Sequence, residues 1–238
     1  MLPQEHIAKQ FDVELENVRA KVLRMGGLIE EQIESAVNAL QDGNVSQARQ
    51  VIETDRRING LEVSIDEDCT HIIARRQPAA GDLRLILAII KTITDLERIG
   101  DEAKKMARMA ILLHDSDRLL QPHLPVDLRH AAHLAVQMLG HSLDAFARLD
   151  ATTAAQVLRD DRDVDESFRG ILRQLITFMM EDPRTISNAI DILFAAKAVE
   201  RIGDHAKNMA EYVIYLVKGK DVRHTSMEEV ERTVISDS

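Results

Sequence analysis

Glu97-Arg98-Ile99-Gly100-Asp101 recurs as Glu200-Arg201-Ile202-Gly203-Asp204, and the residues that follow agree as well: Ala103, Lys104, Met106 and Ala107 against Ala206, Lys207, Met209 and Ala210. The spacing is 103 residues. Upstream, Ala48, Gln50, Val51, Asp55 and Arg56 match Ala154, Gln156, Val157, Asp161 and Arg162 at a spacing of 106. The change of three is absorbed in the turn before the third helix of each set. A repeat of this length marks a duplicated structural unit.

Around these blocks, helical periodicity is broken only at a few marks: Asp42-Gly43-Asn44, Gln77 to Gly81, His114 to Pro125, Leu149-Asp150 and Asp182-Pro183. The pattern predicts six long helices, at residues 4–41, 45–76, 80–113, 126–149, 152–181 and 183–218. A helix of roughly 30 residues is about 45 Å long, so short connections fold such helices back antiparallel. The expected fold is all-α: two tandem three-helix bundles related by internal duplication. Residues 1–114 form the first bundle, 115–125 the linker, 126–218 the second bundle and 219–238 a polar, flexible tail.

Composition agrees. The 238 residues are 45% hydrophobic but only 3% aromatic, with no Trp, five Pro and ten Gly, which is poor in strand formers and chain breakers. A net charge of −10 excludes a nucleic-acid binder, which needs clustered Lys and Arg. One cysteine, Cys69, permits no internal disulfide and suits a reducing compartment, the cytoplasm. The N-terminal segment has no signal-peptide pattern, and no stretch is long enough to span a membrane.

The repeated third helix carries the candidate chemistry. Glu97 and Asp101, and likewise Glu200 and Asp204, lie four residues apart on one helix face, away from Ile99, Ala103 and Met106 or Ile202, Ala206 and Met209. The second helix offers Asp55 with Asn59 and Asp161 with Asp165 at the same spacing. Folding each pair of helices into a hairpin brings the two sets level: residues 57 and 99 each lie 21 positions from Pro78. Each bundle is therefore expected to gather three or four oxygen donors, the second bundle being richer because Asn59 is neutral. Such donors suit Mg, Mn, Ca or iron, and Zn also accepts carboxylates. A solvated acidic face, paired with Arg98, Lys104, Arg201 or Lys207, is the competing reading. Gly100 and Gly203, mid-helix, suggest close helix approach, and Gly26-Gly27 a kink.

Enzyme signatures are missing from the sequence. No Glu is followed three residues later by His, as a ferritin-like dimetal site requires. No phosphate-binding loop, dinucleotide fingerprint or His-Glu-x-x-His occurs. A carboxylate-bridged metal hydrolase or redox enzyme remains the alternative class. His130, His133 and His141 read as surface residues, Cys69 as a small buried apolar one. His205 is retained as a neighbour of a metal or phosphate.

The doubled motifs Asp95 to Asp101 and Val199 to Glu211, with Gln77-Pro78-Ala79-Ala80-Gly81-Asp82-Leu83-Arg84 between the second and third helices, resemble the PhoU family of phosphate-uptake regulators over residues 10–218. That resemblance implies metal clusters on Glu97, Asp101, Glu200 and Asp204, with Asp55, Asp161 and Asp165 as partners. It leaves the metal among iron, zinc, manganese and magnesium. It further implies a cytoplasmic, non-enzymatic, homodimeric negative regulator of the phosphate-starvation response. Such a protein links the ATPase side of the phosphate ABC transporter to a phosphate-sensing histidine kinase, and meets the membrane only through these partners.

Overall fold

The computed structural model describes residues 3–114 and 127–236, with side chains from Gln10 onward. The linker expected at 115–125 lies outside the described residues. The helices are α1 (Pro3–Asp42), α2 (Val45–Arg76), α3 (Ala80–Leu113), α4 (Asp127–Arg148), α5 (Ala151–Glu181), α6 (Ile186–Lys218) and α7 (Met227–Ile235), with a 3-10 turn at Pro183–Thr185 before α6.

Local chemistry sets these boundaries. Asn44 caps α2 by accepting from the Gln47 N–H at 3.0 Å, and Asp150 caps α5 by accepting from the Thr152 and Thr153 N–H groups. At the other ends, Gln77 closes α2 and Gly219 closes α6 in left-handed conformations, donating to Ile73 O and Tyr215 O. Asp182 ends α5, and Pro183 starts the 3-10 turn.

The two bundles, α1–α2–α3 and α4–α5–α6, are built alike. On α2 the buried residues Val51, Ile58, Ile65 and Ile72 recur every seventh position; Val157, Val164 and Ile171 do the same on α5. A seven-residue stripe is the seam of a near-parallel helix packing. The third helix of each bundle buries the most residues because it faces two ways. α3 and α6 pack on their own bundles and also on each other, antiparallel, and this is the most extensive helix pairing among the described residues. α1 and α4 add a second join.

One expectation is corrected. The tail after Gly219 is not frayed throughout: Met227–Ile235 is helical and docks on α5, burying Val222, Val230 and Thr233. Met227, Val230 and Val234 share one face, enough to anchor a short helix. α1 runs through Gly26-Gly27 as one helix. A Cβ on Gly26 would fall 2.5 Å from Leu143 Cδ1 of α4, so this glycine makes room where α1 and α4 cross. Gly100 and Gly203 do sit at close approaches, their added Cβ atoms 3.3 Å from Gln32 Oε1 and 3.4 Å from Val164 Cγ1.

Candidate functional site

In the first bundle the acidic pairs of α2 and α3 come level across the hairpin. Asp55 is 2% exposed. Its Oδ2 accepts a hydrogen bond from Lys104 Nζ of α3 at 2.6 Å, and the same ammonium lies 3.5 Å from Asp101 Oδ1. Glu97, half-buried one turn earlier, has Arg98 Nε 3.9 Å from its Oε2. Burial, then repulsion from Asp101, Glu62 and Asp55, holds the Glu97 carboxyl above the usual range, with Arg98 opposing.

The second bundle repeats the layout. Lys207 Nζ donates to Asp161 Oδ2 at 2.6 Å, Lys197 Nζ to Glu200 Oε1 at 2.5 Å, and Arg169 Nη2 lies 3.6 Å from Asp165 Oδ2. Asp204 still reaches solvent. It is pushed up to about 6 by desolvation against the helix faces first, then by Glu200, Asp161 and Asp165, with Lys197 opposing. The four acidic residues expected from the sequence therefore interact here.

Two features were missed in the sequence. Glu62, seven residues after Asp55, adds a fourth carboxylate to the first patch, so that patch is not the poorer one in acids; its repeat counterpart is Phe168, over whose ring Lys197 Nζ stands at 5.3 Å. The signal was the heptad step from Asp55. Gln32 is the second: its Nε2 donates to Val51 O at 3.3 Å, beside Gly100. Met138 takes the same place beside Gly203.

Whether these residues suit a metal is a question of donors. Among the described residues, no three His, Cys, Asp or Glu side chains gather in a set that could hold an ion; as placed, the two acidic centres are met by Lys104 and Lys207. Yet Asp55 Oδ1, Asn59 Oδ1, Gln32 Oε1 and Glu200 Oε2 are sealed from solvent without a hydrogen-bond partner. Each such orphan costs about 1–3 kcal/mol. Carboxylate and amide oxygens are the donors a hard cation takes, but as placed they form no set that holds one.

Asp204 gives the patch a measurable sign. Folding raises its pKa from 3.8 to about 6, so between these values the folded chain binds more protons than the unfolded one, and stability falls as pH rises through the window. A shift of about two units corresponds to ~3 kcal/mol at full strength, and solvent screening at this exposed group reduces it to about 1 kcal/mol. Asp204→Asn is expected to exceed wild type by that amount at pH 7 in metal-free buffer and to match it near pH 3. Urea midpoints at the two pH values check this; a less stable variant at pH 7 refutes it.

Other candidate residues have different partners. His205 donates to no patch: its Nδ1 lies 2.7 Å from Asp95 Oδ1 on α3, which also accepts from Asn208 Nδ2 at 3.1 Å. This polar cluster, with Arg201 Nε 3.1 Å from the buried Glu102 Oε1 and Lys91 over the Tyr212 ring, lines the α3–α6 seam. His130, His133 and His141 are exposed. Cys69 is fully buried, its thiol pushed up to about 12 by burial first and then by Asp66 and Asp68.

The family model described as the PhoU domain matches twice, at residues 22–110 and 128–213, following the internal repeat. The phosphate-specific transport system accessory protein PhoU homolog of Pseudomonas aeruginosa is 51% identical over 229 residues, covering 96% of this chain and 94% of that protein. The accessory protein PhoU of Escherichia coli is 45% identical, covering 96% and 93%. The crystal structure of PhoU from Pseudomonas aeruginosa superposes with a TM-score of 0.84 at 52% identity, covering 88% of this chain and all of that one. The phosphate transport system regulatory protein PhoU from Streptococcus pneumoniae gives 0.81 at 28% identity, covering 89% and 99%.

Proposed function

This chain belongs to the PhoU family, and on that premise we propose that it is an accessory and negative regulator of phosphate uptake and of the phosphate-starvation response. The observation that carries this reading is similarity along nearly the whole chain, at 45–51% identity, to proteins named for the phosphate-specific transport system. Those relatives are named as accessory or regulatory proteins rather than enzymes, and we read this chain as non-enzymatic. No described helix is long and apolar enough to cross a membrane. We place the protein in the cytoplasm, as a homodimer reaching the membrane through its partners. Those partners are the ATPase side of a phosphate ABC transporter and a phosphate-sensing histidine kinase, which it couples.

In this reading the two acidic patches hold metal. Glu97, Asp101 and Asp55, with Glu62 and the Asn59 carbonyl oxygen nearby, would hold one ion or cluster, and Glu200, Asp204, Asp161 and Asp165 the other. Iron, zinc, manganese or magnesium, bound there, would supply positive charge that draws the two helices of each hairpin together.

The test is complementation of a strain lacking its own regulator, with a reporter of the starvation response, followed by pull-down from cytoplasm and solubilised membrane. Wild type is expected to silence the reporter at high phosphate and to recover transporter or kinase subunits. Glu97→Ala/Asp101→Ala and Glu200→Ala/Asp204→Ala are expected to lose both while remaining helical by circular dichroism. An active reporter with wild type present, and recovery of neither partner, would falsify the regulator reading.

A further inference from the structure

α3 carries a basic side chain at every seventh position along most of its length: Arg84, Lys91, Arg98 and Lys105. On one helix such residues form a single line, with steps of about 10 Å and a length of about 30 Å. The line follows the α3–α6 seam, where Arg84 Cζ stands 5.6 Å from the centre of the Tyr215 ring and Lys91 Nζ 5.3 Å from that of Tyr212. Farther along, Lys105 Nζ donates to Glu102 Oε1 at 2.7 Å, and Arg201 of α6 reaches the same carboxylate at 3.1 Å. Lys91, Arg98, Lys105 and Arg201 are exposed, whereas Asp95 and Glu102, the carboxylates of the seam, are 7% and 2% exposed.

These contacts place the cations without neutralising them. A tyrosine ring attracts a cation through its quadrupole but carries no net charge. Glu102 is shared by two cations, Asp95 is taken up by His205 and Asn208, and Arg98 lies 3.9 Å from Glu97, which belongs to the acidic patch toward α2. Asp221, near Lys91, is held in a fork by Arg223, and that pair is neutral. In a chain of net charge −10 this leaves a positive strip on the seam, with an acidic patch on either side of it, toward α2 and toward α5. Nor is the strip a relic of the duplication: the α6 counterparts of its four residues are Ser187, Phe194, Arg201 and Asn208, so only Arg98 is matched by a cation.

We propose that the α3–α6 seam is a docking strip for an acidic amphipathic helix of a partner protein, laid along α3 with a Glu or Asp at every seventh residue facing Arg84, Lys91, Arg98 and Lys105. A helix is the form whose own seven-residue spacing repeats the steps of the strip. A small anion such as phosphate spans less than one step and meets one cation at a time. The flanking acidic patches repel a broad anionic surface, a membrane or a nucleic acid, and so favour a partner one helix wide. The strip depends neither on bound metal nor on the regulator reading.

Fluorescence anisotropy with the full chain tests this. The probe is a labelled, alanine-rich peptide of about 28 residues, long enough to be helical in water, with Glu at one position of each heptad; its control has the same composition with the Glu residues moved off that spacing. The heptad peptide is expected to bind about tenfold tighter than the control, and to weaken as salt rises. Lys91→Gln/Arg98→Gln should cost about tenfold in affinity, the loss of two charge contacts. Both side chains are exposed, and circular dichroism checks that the variant keeps its helices. Arg56→Gln/Arg57→Gln, an exposed pair on α2 away from the strip, should leave binding unchanged. Equal affinity for the two peptides, an equal loss in the α2 variant, or no binding at all overturns the proposal. So does tighter binding to anionic lipid vesicles than to the peptide, which would make the occupant a membrane. Self-association of wild type that Lys91→Gln/Arg98→Gln abolishes in analytical ultracentrifugation would assign the strip to a second copy and overturn it likewise. None of these readouts involves a transporter, a kinase or a metal, so failure here leaves the regulator reading standing.

Discussion

Asp95→Ala is expected to lower the stability of the chain by about 3 kcal/mol, a large effect for one side chain on a helix that otherwise reads as amphipathic. Asp95 is buried on α3 and accepts from His205 and Asn208 of α6, both from the other bundle. Hydrogen bonds to a charged group contribute about 1.5–3 kcal/mol each, and removal strands the donors that faced it. The repeat offers no substitute, since Asp95's counterpart is Ala198 and His205's is Glu102, which turns to Lys105 and Arg201 instead. Urea unfolding measures the loss, and a double-mutant cycle with His205→Ala isolates the pair, with coupling above about 1 kcal/mol expected. A loss below about 0.5 kcal/mol, the range of an ordinary surface site, would sink the idea that this cluster fastens the bundles.

The second large effect is at the C-terminal helix. Val230 is 1% exposed, and α7 is held by it, by Val222 and Thr233, and by the Arg159–Glu231 pair. Val230→Asp removes burial worth about 2 kcal/mol and asks a carboxylate to sit against α5. The outcome is release of α7 rather than collapse of the bundle, so the cost stops at what docking contributes, about 2–3 kcal/mol. Amide hydrogen exchange should then lose protection across 227–235 while α5 keeps most of its own. Unchanged exchange there would show that the segment does not depend on this contact.

Most of the helical architecture was legible because local and periodic signals coincide. The boundaries of α2 and α3 follow from Asn44, Gln77-Pro78 and the end of the apolar pattern at Leu113, and the duplication supplied a check on each helix. What stayed hidden depended on partners distant in the chain. Nothing near Asp95 or Glu102 announces that an acidic residue on α3 is buried against α6; a carboxylate reads as solvated until the neighbour that satisfies it is in place. α7 was lost for a related reason. Its few apolar residues bury only by using α5, whereas its Glu-rich first turn reads as tail. At the acidic patches the level placement of Asp55, Glu97 and Asp101 was visible from counting along the hairpin. Glu62 was passed over, since neutral Asn59 lies between it and Asp55 and only the heptad step points to it.

The antiparallel seam of α3 and α6 makes the molecule a tethered pair. α3 presents Arg84, Lys91, Asp95 and Glu102, and α6 answers with Tyr215, Tyr212, His205 and Arg201, so a polypeptide ending at His114 and one beginning at Asp127 should recombine when mixed. The connection between them acts chiefly by raising effective concentration. Because the halves have drifted apart, with Asp95 standing where its repeat has Ala198 and Gln32 where its repeat has Met138, mixed fragments should select the unlike partner over a second copy of themselves. The chain thereby makes of two like units an ordered, unlike pairing within one molecule.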